Sequence, residues 1–161
     1  MTKEARPVEA ANGTARMDLG RLGEFIGFRL RRVQNQLSRD FAAATAQYGL
    51  RSGIFSSLAL IATNPGVSQN ELSQEVGLDK SVTVTIVDEL EKRGWATRKR
   101  SKSDRRRHAL FITEAGQAKL DELFGILEHT ENAALHQLSA AELHLLNELL
   151  DRLYAAFTRE A

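Results

Sequence analysis

The sequence contains no cysteine. Disulfide staples, a thiol nucleophile, a cysteine-ligated zinc knuckle and a cysteine redox sensor are therefore all excluded. It also lacks any uninterrupted run of eighteen apolar residues, and residues 1–17 hold no apolar stretch of the kind found in a secretion signal. The expectation is a soluble cytoplasmic protein without a membrane partner. Catalysis needs a nucleophile, a base and an orienting group, or a metal, and no such set stands out. The chain is thus read as a non-enzyme with no cofactor. Excess charge of one sign is missing too: the net charge is +1, which by itself argues for no particular partner.

That balance hides a division. Residues 1–113 carry 19 basic and 12 acidic side chains, whereas residues 114–161 carry 3 and 9. A basic body and an acidic tail suggest a nucleic-acid-facing part and a part with other work. At 161 residues the chain suits one small lobe plus helices that pair with a partner.

The first 17 residues mix Pro7, Gly13, Ala, Thr and Glu without periodicity and are read as a flexible arm. From Leu19 the apolar positions Leu19, Leu22, Ile26, Leu30, Val33, Leu37, Phe41, Ala44 and Tyr48 recur at three- and four-residue steps. This spacing predicts one long helix ending at Gly49. Such a helix has more apolar surface than a small lobe can cover, so a second subunit is expected to cover the rest.

Residues 51–63 read as a second helix with Ile54, Phe55, Leu58 and Ile61 inward, stopped by Asn64-Pro65-Gly66. Ser68 stands three residues before Glu71, a capping-box spacing, and opens a third helix that Gly77 closes. Asp79 can cap a fourth, over residues 80–93, with Thr83, Ile86, Val87 and Leu90 inward and Gly94 as its stop. Two short helices joined by a tight turn make a helix-turn-helix.

Residues 95–100 and 108–113 then read as two strands joined by a charged loop, a small β-hairpin. Beyond it, Thr113 and Glu114 open a helix running to about Leu138, and Ser139 with Glu142 forms a second capping box. The final helix carries Leu143, Leu146, Leu149, Leu150, Leu153, Tyr154 and Phe157 at near-heptad spacing, which calls for a partner surface. The fold class is therefore mainly α with a small hairpin wing. Residues 51–113 form a winged helix-turn-helix, and residues 18–50 and 114–161 supply dimerisation helices.

Between Lys92 and Arg107 nine basic residues (Lys92, Arg93, Arg98, Lys99, Arg100, Lys102, Arg105, Arg106, Arg107) face one acid, Asp104. A charge run alone is usually a solvated face. Here it falls on a hairpin directly behind a helix-turn-helix, where it would lie along DNA phosphates. On the fourth helix the same wheel turns Ser81, Thr85, Asp88 and Lys92 outward, with Val82 and Val84 at the margin. Hydroxyls can serve several bases and a valine methyl can touch thymine. Lys80, Ser81, Val84, Thr85, Lys92, Arg98, Lys102, Asp104, Arg105, Arg106 and Arg107 are the candidate DNA-binding residues. Asp104 either orients a neighbouring arginine or forms a turn.

Residues 104–116, Asp-Arg-Arg-Arg-His-Ala-Leu-Phe-Ile-Thr-Glu-Ala-Gly, resemble the wing of the MarR (multiple antibiotic resistance regulator) family, with its Asp-x-Arg, hydrophobic strand and Thr-x-x-Gly. Residues 90–95 resemble that family's recognition-helix exit, and residues 69–72 its third-helix start. The resemblance spans roughly residues 19–157. It implies an obligate homodimer on pseudo-palindromic double-stranded DNA, often a repressor released by a small aromatic or anionic effector. Asp104 and Arg106 take the Asp-x-Arg places, with Arg106 entering the minor groove. Thr85 departs from the arginine of many relatives, and Arg51 from the usual helix-capping Thr or Ser.

By the same resemblance the effector sits between the dimer helices and the DNA-binding lobe, near Phe25, Phe28, Arg29, Arg32 and Tyr48. Aromatics at helical spacing are also what an ordinary core requires. Some relatives sense zinc, and His129 and His136 lie two turns apart beside Glu128 and Glu131, but the spacing is unspecific and no metal site is assigned. A metal-responsive regulator and a ligand-independent architectural DNA-binding protein are the alternatives.

Overall fold

The computed structural model describes residues 17–100 and 108–158. Its elements run α1 (Ile26–Ala44), α2 (Ile54–Thr63), α3 (Gln69–Val76), α4 (Lys80–Lys92), β1 (Ala96–Arg100), β2 (His108–Ile112), α5 (Glu114–Leu135) and α6 (Ala140–Thr158). The chain divides into two compact units, one ending at Gln36 and the other beginning at Leu37.

The first unit corrects the expected unbroken helix from Leu19. A five-residue 3-10 helix, Gly20–Glu24, comes first, and Phe25 then sits in an extended conformation (φ −92°, ψ 122°) before α1 starts. Gly20, Gly23 and Gly27 crowd this entry, and each glycine costs helix about 1 kcal/mol relative to alanine. Leu22, Phe25, Ile26 and Val33 are all more than half exposed.

In the second unit α1 ends at Ala44, and a 3-10 turn over Ala46–Tyr48 stops at Gly49. α2 begins at Ile54 rather than at residue 51. Its N-cap, Gly53, has φ +86°, and a Cβ there would stand 2.8 Å from both the Ile86 and Leu78 δ-methyls. The chain thus enters α2 through a left-handed residue pressed against α4, a place only glycine fills without strain.

One core unites α2 to α5 and the hairpin: Ile54, Leu58 and Ile61 of α2, Leu72 of α3, Ile86, Val87 and Leu90 of α4, Ala96 and Leu110 of the hairpin, and Leu120 of α5. The Ser68–Glu71 capping box forms as the spacing predicts: Glu71 N–H donates to Ser68 Oγ (3.3 Å), and Ser68 N–H to Glu71 Oε2 (2.8 Å). β1 and β2 pair antiparallel with Ala96 opposite Ile112 and Arg100 opposite His108. The α2–α3 loop joins their edge, since Leu110 N–H donates to Val67 O (2.9 Å) and Gly66 N–H to Leu110 O (2.8 Å). The expected mainly-α winged helix-turn-helix is what the chain forms. Among the described residues no helix is long and apolar enough to cross a membrane.

α6 starts at the second capping box, where Ser139 N–H donates to Glu142 Oε2 (2.8 Å) and Glu142 N–H to Ser139 Oγ (3.3 Å). Leu145, Leu149, Leu150, Leu153, Tyr154 and Phe157 along this helix are left exposed.

Candidate nucleic-acid interface

α4 presents the face that the helical wheel assigns. Thr83, Ile86, Val87 and Leu90 are buried, while Ser81, Val84, Thr85, Asp88 and Lys92 are exposed. Lys80 is exposed at the first position of the helix. Asp79 occupies the N-cap but makes no side-chain cap bond, contrary to its expected capping role; the Thr83 hydroxyl instead donates to the Asp79 carbonyl (3.2 Å). Thr85 Oγ1 donates to Ser81 O (3.1 Å), so its hydroxyl hydrogen is engaged within the helix and its oxygen remains an acceptor.

The hairpin lies directly behind this helix, and its placement follows from one motif. Thr113 caps α5: its hydroxyl accepts from Gly116 N–H (3.0 Å) and donates to Gly94 O (2.6 Å), while its own N–H donates to Trp95 O (3.0 Å). The Thr-x-x-Gly element therefore ties the end of β2 to the exit from α4.

Arg98 occupies a different place from that expected of a phosphate contact. Its Nη2 reaches Asp88 Oδ1 at 2.6 Å, its Nη1 reaches Glu91 Oε2 at 2.5 Å, and its backbone N–H donates to Glu91 Oε1 at 2.8 Å. The side chain is only 19% exposed, so β1 is strapped to α4 and the Asp88 charge is offset before DNA arrives. Sequence reasoning missed this role because a count of basic residues does not say which of them already have acidic partners. Arg93 likewise turns back, onto Glu89. Lys99 lies over the Phe111 ring, 5.1 Å from its centroid.

Lys102, Asp104, Arg105, Arg106 and Arg107 lie outside the described residues. The structure brings Ser81, Thr85 and Lys92 onto one stripe, sets Val84 at its margin, and links Arg98 to it through Asp88.

The candidate effector residues fall in both units. Within the first, Phe25 is 56% exposed, Phe28 half-buried, Arg29 and Arg32 exposed, and Arg29 Nε donates to Gly23 O (2.7 Å). Within the second, the Tyr48 hydroxyl donates to Glu122, which also pairs with Lys119, and Lys119 Nζ lies 4.3 Å from the Tyr48 ring centroid. The bond to the Glu122 carboxylate raises the Tyr48 hydroxyl above the usual phenol range. Glu122 is held below the usual carboxylate range, first by Lys119 and then by Tyr48. Among the described residues no three His, Asp or Glu side chains group as ligands for a metal ion.

A family model described as MarR family matches residues 55–107, which hold all but the first residue of α2, then α3, α4 and β1, and stop before β2. A Thauera aromatica protein assigned to regulation of the hcr operon is 34% identical over 153 residues, covering 94% of this chain and 92% of that protein. Among solved structures, the transcriptional repressor CouR bound to a 23-mer DNA duplex is 31% identical, covers 87% of this chain and 99% of its own, and superposes with a TM-score of 0.77. CouR from Rhodococcus jostii RHA1 bound to p-coumaroyl-CoA is 29% identical, with 82% and 94% covered and a TM-score of 0.73.

Proposed function

This chain belongs to the MarR family of transcriptional regulators, and we propose that it is a dimeric, sequence-specific repressor that leaves its pseudo-palindromic operator when a small aromatic anion or its acyl thioester binds. The observation that carries the DNA half is the exposed stripe Ser81, Thr85 and Lys92 on α4, beside a hairpin between whose strands the sequence places Lys102, Arg105, Arg106 and Arg107. A helix in the major groove with cationic loops on the flanking phosphates is how such modules dock. CouR, at 31% identity, is a repressor that has been captured on a DNA duplex.

Pairing of two copies is supported by apolar surface that none of the described residues of the single chain covers. Leu149, Leu153, Tyr154 and Phe157 of α6 are between 43% and 77% exposed. Fully burying such a side chain is worth about 1.5–3 kcal/mol, and a second copy offers the same face in return. The effector half rests on the aromatic and guanidinium groups of Phe25, Phe28, Arg29 and Arg32 in the first unit. Aromatic faces and guanidinium cations suit an aromatic acid or the thioester of one with a phosphorylated carrier, and CouR's ligand is p-coumaroyl-CoA.

The decisive experiment measures duplex affinity against salt. A log–log plot should fall steeply for the unmodified protein, and Arg106→Ala should weaken binding and make the slope shallower by roughly one released ion. Duplex binding that is absent or indifferent to salt would refute the reading.

A further inference from the structure

Tyr48 is held from two sides by two different elements, and the two holds use different parts of the residue. Its backbone belongs to the recognition helix: Arg93, at the exit of α4, donates from Nη1 to Tyr48 O (2.9 Å) and from Nη2 to Gly49 O (3.0 Å). The same guanidinium is fixed by Glu89 one turn back on α4, through Nε at 3.0 Å and Nη2 at 2.6 Å, and it stacks over Trp95 at 5.0 Å. Arg93 and Glu89 are 25% and 17% exposed, so this fork is partly withdrawn from water. The side chain of Tyr48 belongs to α5, through its hydroxyl bond to Glu122 and the ammonium of Lys119 over its ring. Gly49, at φ +56°, lets the chain turn sharply enough for both neighbouring carbonyls to face one arginine.

We infer that Arg93 and Tyr48 form a joint through which the position of α5 sets the position of the recognition helix. Both are positioning residues: the Arg93 guanidinium is committed to Glu89 and the two carbonyls, and the Tyr48 hydroxyl to Glu122. α5 itself packs on α2, so the Tyr48 bridge is a separate, polar route from α5 to the end of α4. An arginine fork on two adjacent carbonyls fixes direction as well as distance, which a single ammonium cannot do. A displacement of α5 that breaks the Tyr48–Glu122 bond therefore removes one hold on the Tyr48–Gly49 turn and loosens the Arg93 fork at the end of α4, which the Thr113 bonds to Gly94 and Trp95 still tie to the start of α5. This inference rests on α4 being the DNA-reading helix.

The test is a double-mutant cycle in the full-length protein, with Tyr48→Phe, Arg93→Lys and the double variant. It is read on a duplex selected from a random pool by the unmodified protein, at a temperature where all four forms are folded and have the same oligomeric state. Each single change should weaken binding roughly three- to tenfold without altering the salt slope, because no phosphate contact is lost, and the double should cost clearly less than the product of the two. Additive losses, or a slope made shallower by Arg93→Lys, would overturn the joint. Amide exchange supplies a reading independent of DNA. Tyr48→Phe should speed exchange at residues 91–95, remote from the deleted hydroxyl, and unchanged exchange there would overturn the joint as well. Should the unmodified protein bind no duplex at all, the repressor reading falls and the joint stands or falls on exchange alone.

Discussion

Replacing Gly116 by alanine should damage this fold more than its size suggests. Gly116 sits in the first turn of α5, and a Cβ built there would lie 1.9 Å from Trp95 O, 2.7 Å from Trp95 C and 3.0 Å from Ile112 Cγ1. The obstacle is a backbone carbonyl, so no rotamer change relieves it; either α5 or the segment leaving α4 must move by more than 1 Å, roughly the gap to a normal contact. Moving it breaks the Thr113 N–H bond to Trp95 O and the Thr113 hydroxyl bond to Gly94 O. Overpacking costs about 1–3 kcal/mol and each lost hydrogen bond about 1 kcal/mol net, giving about 4 kcal/mol in all. For a chain of this length that lowers the melting temperature by about 8–16 °C. Thermal unfolding followed by circular dichroism, at one fixed protein concentration, measures it. Gly125→Ala is the matched control: it lies in the interior of the same helix with nothing within 4 Å of its Cβ. There alanine should raise stability by about 1 kcal/mol. A Gly116→Ala protein melting within about 2 °C of the unmodified one would refute the close approach on which the wing's placement depends.

Other outcomes follow from the same geometry. Arg98→Met should cost about 1–2 kcal/mol in denaturant unfolding, less than a fully buried pair would, because Asp88 is 58% exposed and water screens what is left behind; an unchanged midpoint would mean that the strap contributes nothing. Glu142 is held below its ordinary range by the Ser139 hydroxyl and then by the Ser139 N–H. Since a lowered carboxyl pKa stabilises the folded state above the unfolded value and loses that support as pH falls through the folded value, the first turn of α6 should loosen only in acid. A carboxyl titration by NMR should show the Glu142 midpoint rising towards the ordinary range in Ser139→Ala, and a midpoint that stays low would contradict this cause. Glu122→Gln should bring the Tyr48 phenol back down, since the carboxylate bond is its first cause of elevation. An ultraviolet titration that does not move would rule that bond out.

Much of the architecture was legible because its signals are local. Both capping boxes, the inward Thr83, Ile86, Val87 and Leu90, and the two strands rest on spacings within a few residues, and each is where the pattern places it, to within a residue or two. The starts of the first two helices were not legible. An apolar period of three and four continues through Phe25, yet the glycines around it weaken helix enough for a break, and periodicity carries no penalty for glycine. α2 begins at Ile54 because Gly53 before it is left-handed, a conformation packed without room for a Cβ against Leu78 and Ile86, residues 25 or more positions away in the chain. No window of a dozen residues contains that information.

The candidate site divides along the same line. Ser81, Thr85 and Lys92 share a face because one helix fixes their directions, so sequence spacing is enough to find them. Arg93 and Arg98 belong to the same basic run; Arg93 meets Glu89 at the i,i+4 spacing of one helix, whereas its bonds to the 48–49 carbonyls and the pairing of Arg98 with Asp88 and Glu91 come from the packing of that turn and of β1 on α4. Both are paired with acids where they sit, so on the proposed docking they brace α4, and phosphate contact falls to other cations, the exposed Lys92 among them. This makes the salt slope a sharper measure than affinity. Substituting Arg98 or Arg93 should change the strength of binding at every salt concentration while leaving the slope alone, whereas Lys92→Ala should flatten it by roughly one ion. An Arg98→Met slope as shallow as that of Lys92→Ala would show that the acid pairs open on DNA and release their arginines to it.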